Sequence, residues 1–90
     1  MPITASFTTR FNKDIKRVKK RHKDLSKLKK IIDSLINQQP LSKSHKDHIL
    51  IGNYAGAREC HVEPDWLLIY VIDQESITFT RTGTHADLFK

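Results

Sequence analysis

Residues 58–82 read RECHVEPDWLLIYVIDQESITFTRT, and this stretch decides the fold. Three runs rich in β-branched and aromatic side chains, 58–62, 66–73 and 76–82, are divided by Glu63-Pro64-Asp65 and Asp73-Gln74-Glu75. Such side chains suit a pleated surface, whereas Pro and Asp supply turn geometry, so the pattern predicts three consecutive strands. The middle run, from Trp66 through Ile72, is apolar on both sides and reads as core. Trp66 and Tyr70 share a parity, and packing accounts for them better than an aromatic edge offered to a ligand.

Towards the N-terminus the period changes. Residues 41–57 have none, and Gly52 and Gly56 mark a loop. Before it, Leu25, Leu28, Ile31, Ile32, Leu35 and Ile36 form a wide helical stripe that Asp24 can cap and Pro40 stops. Phe11, Ile15 and Val18 make a second helical face after Thr8 and Thr9, and the short link around His22 and Lys23 implies an antiparallel helical hairpin. Ile3, Ala5 and Phe7 alternate, which predicts a further strand over 2–8. The expected fold class is α+β in the order β-α-α-β-β-β: a helical hairpin packed on one face of a mostly antiparallel four-stranded sheet, with the other face free for work. The core-forming elements end before Gly83, so the tail from His85 to Lys90 is expected to serve function more than folding.

A chain of 90 residues holds one domain. Its net charge of +6 is unevenly spread: residues 1–50 carry 13 Lys/Arg against 4 Asp/Glu, a balance of +9, and residues 51–90 carry 3 against 6, a balance of −3. A basic first half suits a polyanionic partner, although lysine-rich helices also serve simply as solvated faces. Cys60 is the sole cysteine, so no internal disulfide forms. Residues 1–9 lack the charged and apolar runs of an export signal, and no stretch approaches transmembrane length; a cytoplasmic protein without membrane contact is expected.

Ionisable groups of catalytic type gather beyond the helices: His45 and His48 in the loop, His61 and Asp65 around a turn, Arg81 at a strand end and His85 in the tail. Imidazole can give and take protons near neutral pH, and arginine offers a fork of donors to a phosphate. His22, between two basic helices, reads as solvated. His45 with His48 and His61 with Asp65 have spacings open to a metal, but one cysteine and irregular intervals match no zinc signature. Cys60 alternates away from His61 and reads as a small apolar filler rather than a nucleophile. Alternation also puts Arg81 on the side of Ile77 and Phe79, so either the strand ends before it or a bulge turns it. Composition and spacing thus reach a small basic α+β domain with a histidine-rich second half, compatible with an RNase and with an RNA-binding module.

At these same residues the sequence resembles the YafQ toxin family of the RelE-like superfamily. The matching stretches are Arg21-His22-Lys23-Asp24; Lys46-Asp47-His48 with Leu50 and Gly52; His61-Val62-Glu63-Pro64-Asp65-Trp66 running into Leu68-Ile69-Tyr70; and Arg81-Thr82-Gly83-Thr84-His85 with Leu88-Phe89. The resemblance covers nearly the whole chain. It implies a RelE-like fold and cleavage of mRNA in the ribosomal A site without metal or cofactor. Its implied partners are the 70S ribosome, mRNA and a cognate antitoxin, with operator DNA reached only through the antitoxin complex. The family's functional residues fall on His48, His61, Asp65, Arg81, His85 and Phe89.

The implied reaction is attack of a ribose 2′-oxygen on its own 3′-phosphate. His85 and His48 would be the proton-transfer pair, with base and acid not distinguished; Asp65 would orient a histidine, His61 being nearest in sequence. Arg81 would face the phosphate and Phe89 would stack on a base. Lys16, Lys19, Lys20, Lys27 and Lys30 are numerous, clustered and remote from the histidines, which suggests contact with ribosomal RNA. Two other readings use the same residues: a non-catalytic RNA- or ribosome-binding module, and an inactive toxin acting as a co-repressor with its antitoxin.

Overall fold

A computed structural model describes residues 3–89; Pro2, which opens the expected first strand, and Lys90, which closes the expected tail, lie outside them. Its elements are β1 (Thr4–Phe7), α1 (Thr9–Lys20), α2 (Leu25–Ile36), β2 (His48–Ile49), β3 (Arg58–Glu63), β4 (Trp66–Ile72), β5 (Ser76–Gly83) and α3 (His85–Leu88), with short 3-10 turns at Lys43–His45 and Gly52–Tyr54. Both helices are capped, α2 by Asp24 as expected and α1 by Thr8, the first of the two threonines ahead of its apolar face. The Thr8 side chain accepts from the Phe11 N–H, and that of Asp24 from the Ser26 N–H, each at 3.0 Å. The hairpin between α1 and α2 turns at His22, in the left-handed region at φ 59°. Helix α2 ends at Ile36, ahead of Pro40, with Asn37 as its C-cap.

The sheet differs from the expected one. It has five strands in the order β1-β5-β4-β3-β2, and it is mixed, because β1 runs parallel to β5 while every other pair is antiparallel. Parallel neighbours need a long crossover, and the helical hairpin is the first part of it. The extra strand β2 has two residues, too few for any period to register.

One core layer lies between sheet and hairpin. Phe11, Val18, Leu28, Ile31 and Leu35 from the helices meet Cys60, Val62, Trp66, Leu68, Tyr70, Ile77 and Phe79 from the strands. The expected packing roles of Trp66, Tyr70 and Cys60 hold, with exposures of 2%, 1% and 0%. Burial pushes the Cys60 thiol up to about 12, which leaves it protonated and inert. The other sheet face is not wholly free. Leu67 and Ile69 pack there with Ala57 and Leu88, flanked by Leu50 and Tyr54. Leu88 belongs to α3, so the tail takes part in the fold, contrary to expectation.

A bulge settles the question of Arg81. Strand β5 continues to Gly83, but its register against β4 slips: Ile69 pairs with Arg81 and Tyr70 with Phe79, leaving Thr80 as the extra residue. Directly paired residues share a face, so beyond Thr80 the alternation is reversed. Arg81 joins Ile69 on the face away from the helices.

Candidate active site

Sheet register assembles the site. On the face away from the hairpin, β2, β3, β4 and β5 contribute one cross-strand row of His48, Glu59, Ile69 and Arg81. Beside it runs a second row, His61, Leu67 and Gly83. Two residues further on, His85 starts α3. Three imidazoles therefore stand in line, with ring centroids 6.5 Å apart between His48 and His61 and 6.0 Å between His61 and His85. Phe89 continues the line 6.3 Å from His85, and the Tyr54 ring meets Phe89 edge-on at 5.5 Å.

Each end of the line is tied to a carboxylate. The Asp65 Oδ1 atom accepts from both the backbone N–H and the Nδ1 of His85, at 2.9 and 2.6 Å. Asp65 thus serves His85 and not His61, because the two-residue turn Pro64-Asp65 points its side chain at the start of α3. These hydrogen bonds, the backbone one foremost, hold the Asp65 carboxyl below the usual range. At the other end, His48 Nδ1 lies 2.6 Å from the Lys46 carbonyl, while its Nε2 lies 3.1 Å from Glu59 Oε2. Lys46 adopts the left-handed conformation at φ 48°, which brings that carbonyl back towards the ring. His45 stands outside the line and serves the loop, which it ties to β3 through an Nδ1 atom 2.7 Å from the His61 carbonyl.

Arg81 sits apart from the imidazoles. Only 8% of its side chain is exposed, and Asp14 of α1 accepts from its Nε and Nη2 at 2.7 and 3.1 Å. Pairing of β1 with β5 stops at Phe79, so the edge of β5 beyond it is open to α1. There Asp14 also accepts from the Thr82 N–H at 3.1 Å and, more weakly, from Arg17 at 3.4 Å. The Asp14 partner raises the guanidinium pKa further, with Tyr54 adding to the effect, so Arg81 is a fixed positive charge. The Tyr54 hydroxyl in turn donates to the Leu88 carbonyl at 3.3 Å.

Sequence reasoning missed Glu59, Asp14 and Tyr54. Alternation puts Glu59 on the side of His61, but its partner His48 becomes visible only once β2 pairs with β3. Asp14 follows Phe11 by three residues and precedes Val18 by four, so it lies on the buried face of α1. The helix lysines divide. Lys16, Lys19, Lys20 and Lys30 are exposed, whereas Lys27 donates to Glu63 at 2.9 Å and shares it with Lys23, also at 2.9 Å.

A family model described as "Bacterial toxin of type II toxin-antitoxin system, YafQ" matches residues 3–90. The mRNA interferase toxin YafQ of Escherichia coli K12 is 49% identical over 84 residues, 92% of this chain and 91% of that protein. The crystal structure of YafQ from E. coli strain BL21(DE3) superposes with a TM-score of 0.94 at 45% identity, covering 98% of this chain and 99% of that one. The E. coli DinJ–YafQ toxin–antitoxin complex gives 0.92 at 45% identity, with both chains covered to 100%.

Proposed function

The chain belongs to the YafQ family of bacterial toxins of type II toxin–antitoxin systems, and on that premise we propose that it is an mRNA interferase, an endoribonuclease that cuts ribosome-bound mRNA in the A site and is neutralised by a cognate antitoxin. The observation that carries this reading is the line of three imidazoles with a carboxylate at each end. RNA cleavage through the 2′-oxygen needs one group to take a proton and another to give one, and imidazole does both.

The hydrogen bonds support an order of roles. A carboxylate 2.6 Å from His85 Nδ1 needs a proton on that nitrogen, which leaves Nε2 with its lone pair outward, ready to take the 2′-hydroxyl proton. His48 has an acceptor at each ring nitrogen, a carbonyl and a carboxylate, so its contacts are both satisfied when both nitrogens carry protons. That is the form of a general acid, suited to protonating the departing 5′-oxygen. His61 lies between them, where the scissile phosphate would sit. Arg81 would lend positive potential to the phosphate from the row beside Ile69, its charge partly offset by the Asp14 carboxylate that holds it. Phe89, 42% exposed, offers a face to a base. Lys16, Lys19, Lys20 and Lys30 serve ribosomal RNA, while Lys27 is diverted to Glu63. The antitoxin is the protein partner, and operator DNA is reached through that complex alone.

The test is mapping of mRNA 5′ ends after brief induction, with the parent and with His85→Ala. Cuts within the codons of translated messages, carrying 5′-hydroxyl ends and absent with His85→Ala, are expected. Message that stays intact under the parent, with the protein shown to be soluble and free of antitoxin, would sink the reading.

A further inference from the structure

Helix α3 has four residues, and a single turn does not hold itself in water because nucleation is unfavourable. His85 is its first residue, so the direction of that imidazole depends on whatever fixes the turn. Leu88 anchors one side in the core, 7% exposed. The other side rests on Asp87. Its Oδ2 accepts from the Thr84 N–H at 3.0 Å, while Thr84 Oγ1 accepts from the Asp87 N–H at 3.1 Å, a reciprocal capping box. Both Asp87 oxygens also take the fork of Arg21, Nη1 to Oδ2 at 2.7 Å and Nη2 to Oδ1 at 3.1 Å. Arg21 is the C-cap of α1, one turn beyond buried Val18, so the tie runs to a packed helix end.

Two further observations say that this contact is built in. A Cβ at position 83 would stand 2.8 Å from Asp87 Oδ2, and only the bare backbone of Gly83, at φ 155°, lets the carboxylate come so close. The Arg21 guanidinium, foremost among the causes, holds the Asp87 carboxyl well below the usual carboxylate range, so the charge persists at working pH. We propose that Asp87 is a positioning residue for RNA cleavage that acts through His85, and that Arg21 locks it in that role. The α3 turn is then clamped by two carboxylates, Asp65 from the β3–β4 turn on the His85 side and Asp87 on the α1 side. Arg21 has its function in holding the catalytic turn, which separates it from the neighbouring lysines that face solvent.

This inference rests on the proposed proton transfer by His85, and the experiment separates the two. Cleavage of ribosome-bound mRNA is measured for the parent, His85→Ala, Asp87→Ala, Arg21→Gln and Arg21→Lys at a temperature where circular dichroism shows each fully folded. Asp87→Ala and Arg21→Gln are expected to lower kcat between about five- and a hundredfold with KM nearly unchanged, as a displaced catalytic group does. Arg21→Lys, which keeps the charge, is expected to recover part of the loss. The ¹⁵N spectrum adds a direct readout: His85 should show a protonated Nδ1 in the parent and lose that preference in Asp87→Ala. Should Asp87→Ala not fold, Arg21→Gln, altered at an exposed helix end, carries the same expectation. Parent kcat and an unchanged His85 spectrum in folded Asp87→Ala or Arg21→Gln, with His85→Ala crippled, would overturn the positioning role alone. If His85→Ala also cleaves normally, the proposed function fails first.

Discussion

The two ends of the imidazole line are built on the same principle in opposite surroundings. At one end Asp65 is 65% exposed and faces a half-exposed His85, and both stand in a tight turn and a single helical turn. At the other, Glu59 is 7% exposed inside β3, and His48 reaches it from a two-residue strand. Water and salt compete freely for the first pair, so its strength comes from geometry: one oxygen takes the backbone and ring N–H of the same residue. The Glu59 carboxylate, buried although His48 is itself half-exposed, has little alternative solvation and depends on the partner that strand register provides. His85 is thus set by the meeting of two tight turns 20 positions apart, and His48 by strand register.

The widest break in this comparison comes from removing the rings. His85→Ala and His48→Ala are each expected to reduce cleavage of ribosome-bound mRNA by about 10² to 10⁴ with the fold retained. Equal rates for parent and both variants would remove the histidines from the chemistry. The carboxylates should then part company. Glu59→Gln leaves a buried amide against His48 and is expected to lower kcat roughly ten- to a hundredfold, in line with losing a hydrogen bond to a charged group. Asp65→Asn keeps an acceptor for the backbone N–H and should cost less. A larger loss from Asp65→Asn than from Glu59→Gln would show that exposure does not rank the two ends.

Salt sharpens the comparison from outside the site. Reversing Lys16, Lys19, Lys20 and Lys30 to Glu is expected to weaken ribosome binding and flatten its dependence on salt, whereas Lys27→Glu, at a lysine held with Lys23 on Glu63, should change the slope least. Identical slopes in a salt titration would return all five lysines to the solvated face.

Acid gives the smallest effect. The Asp65 carboxyl is lowered by His85, Asp87 by Arg21, and Glu63 by Lys23 and Lys27. A carboxyl whose folded pKa lies below its unfolded one stabilises the fold above the unfolded value, and that stabilisation drains as pH falls through the folded value. Melting temperature should therefore hold from neutrality down to about pH 5 and decline below about pH 4. The decline should be shallower in Asp87→Ala; a superimposable acid limb would mean that the Arg21 contact contributes nothing to folding.

The layers differ in how openly the sequence announced them. Helix α2 and strands β3 to β5 were legible because a stripe at 3.6 residues and runs bounded by Pro64 and Asp73 repeat one local preference many times. Strand β2 and helix α3 were not, since two and four residues hold no period and exist through tertiary contacts. The candidate residues His48, His61, Asp65, Arg81, His85 and Phe89 came from residue type and likeness to a family. Their arrangement did not: Asp65 turned to His85, and Arg81 found Asp14 67 positions away. Buried carboxylates such as Glu59 and Asp14 look like ordinary surface charges until their partners are known.

The extra residue at Thr80 has a consequence for what changes this chain can tolerate. In a strand, every residue is one step of a two-beat count, and Thr80 drops a beat just before Arg81. Substitutions at that position alter a side chain and leave the count intact. Deleting Thr80 itself would straighten the strand and leave Arg81 beside Ile69 and Thr82 joined to Trp66 Nε1 and the Leu67 carbonyl, as they now stand. Tolerance along β5 is therefore a matter of parity: a one-residue deletion at the bulge is absorbed, while one elsewhere in the strand, with the bulge kept, exchanges the inside of the protein for its outside.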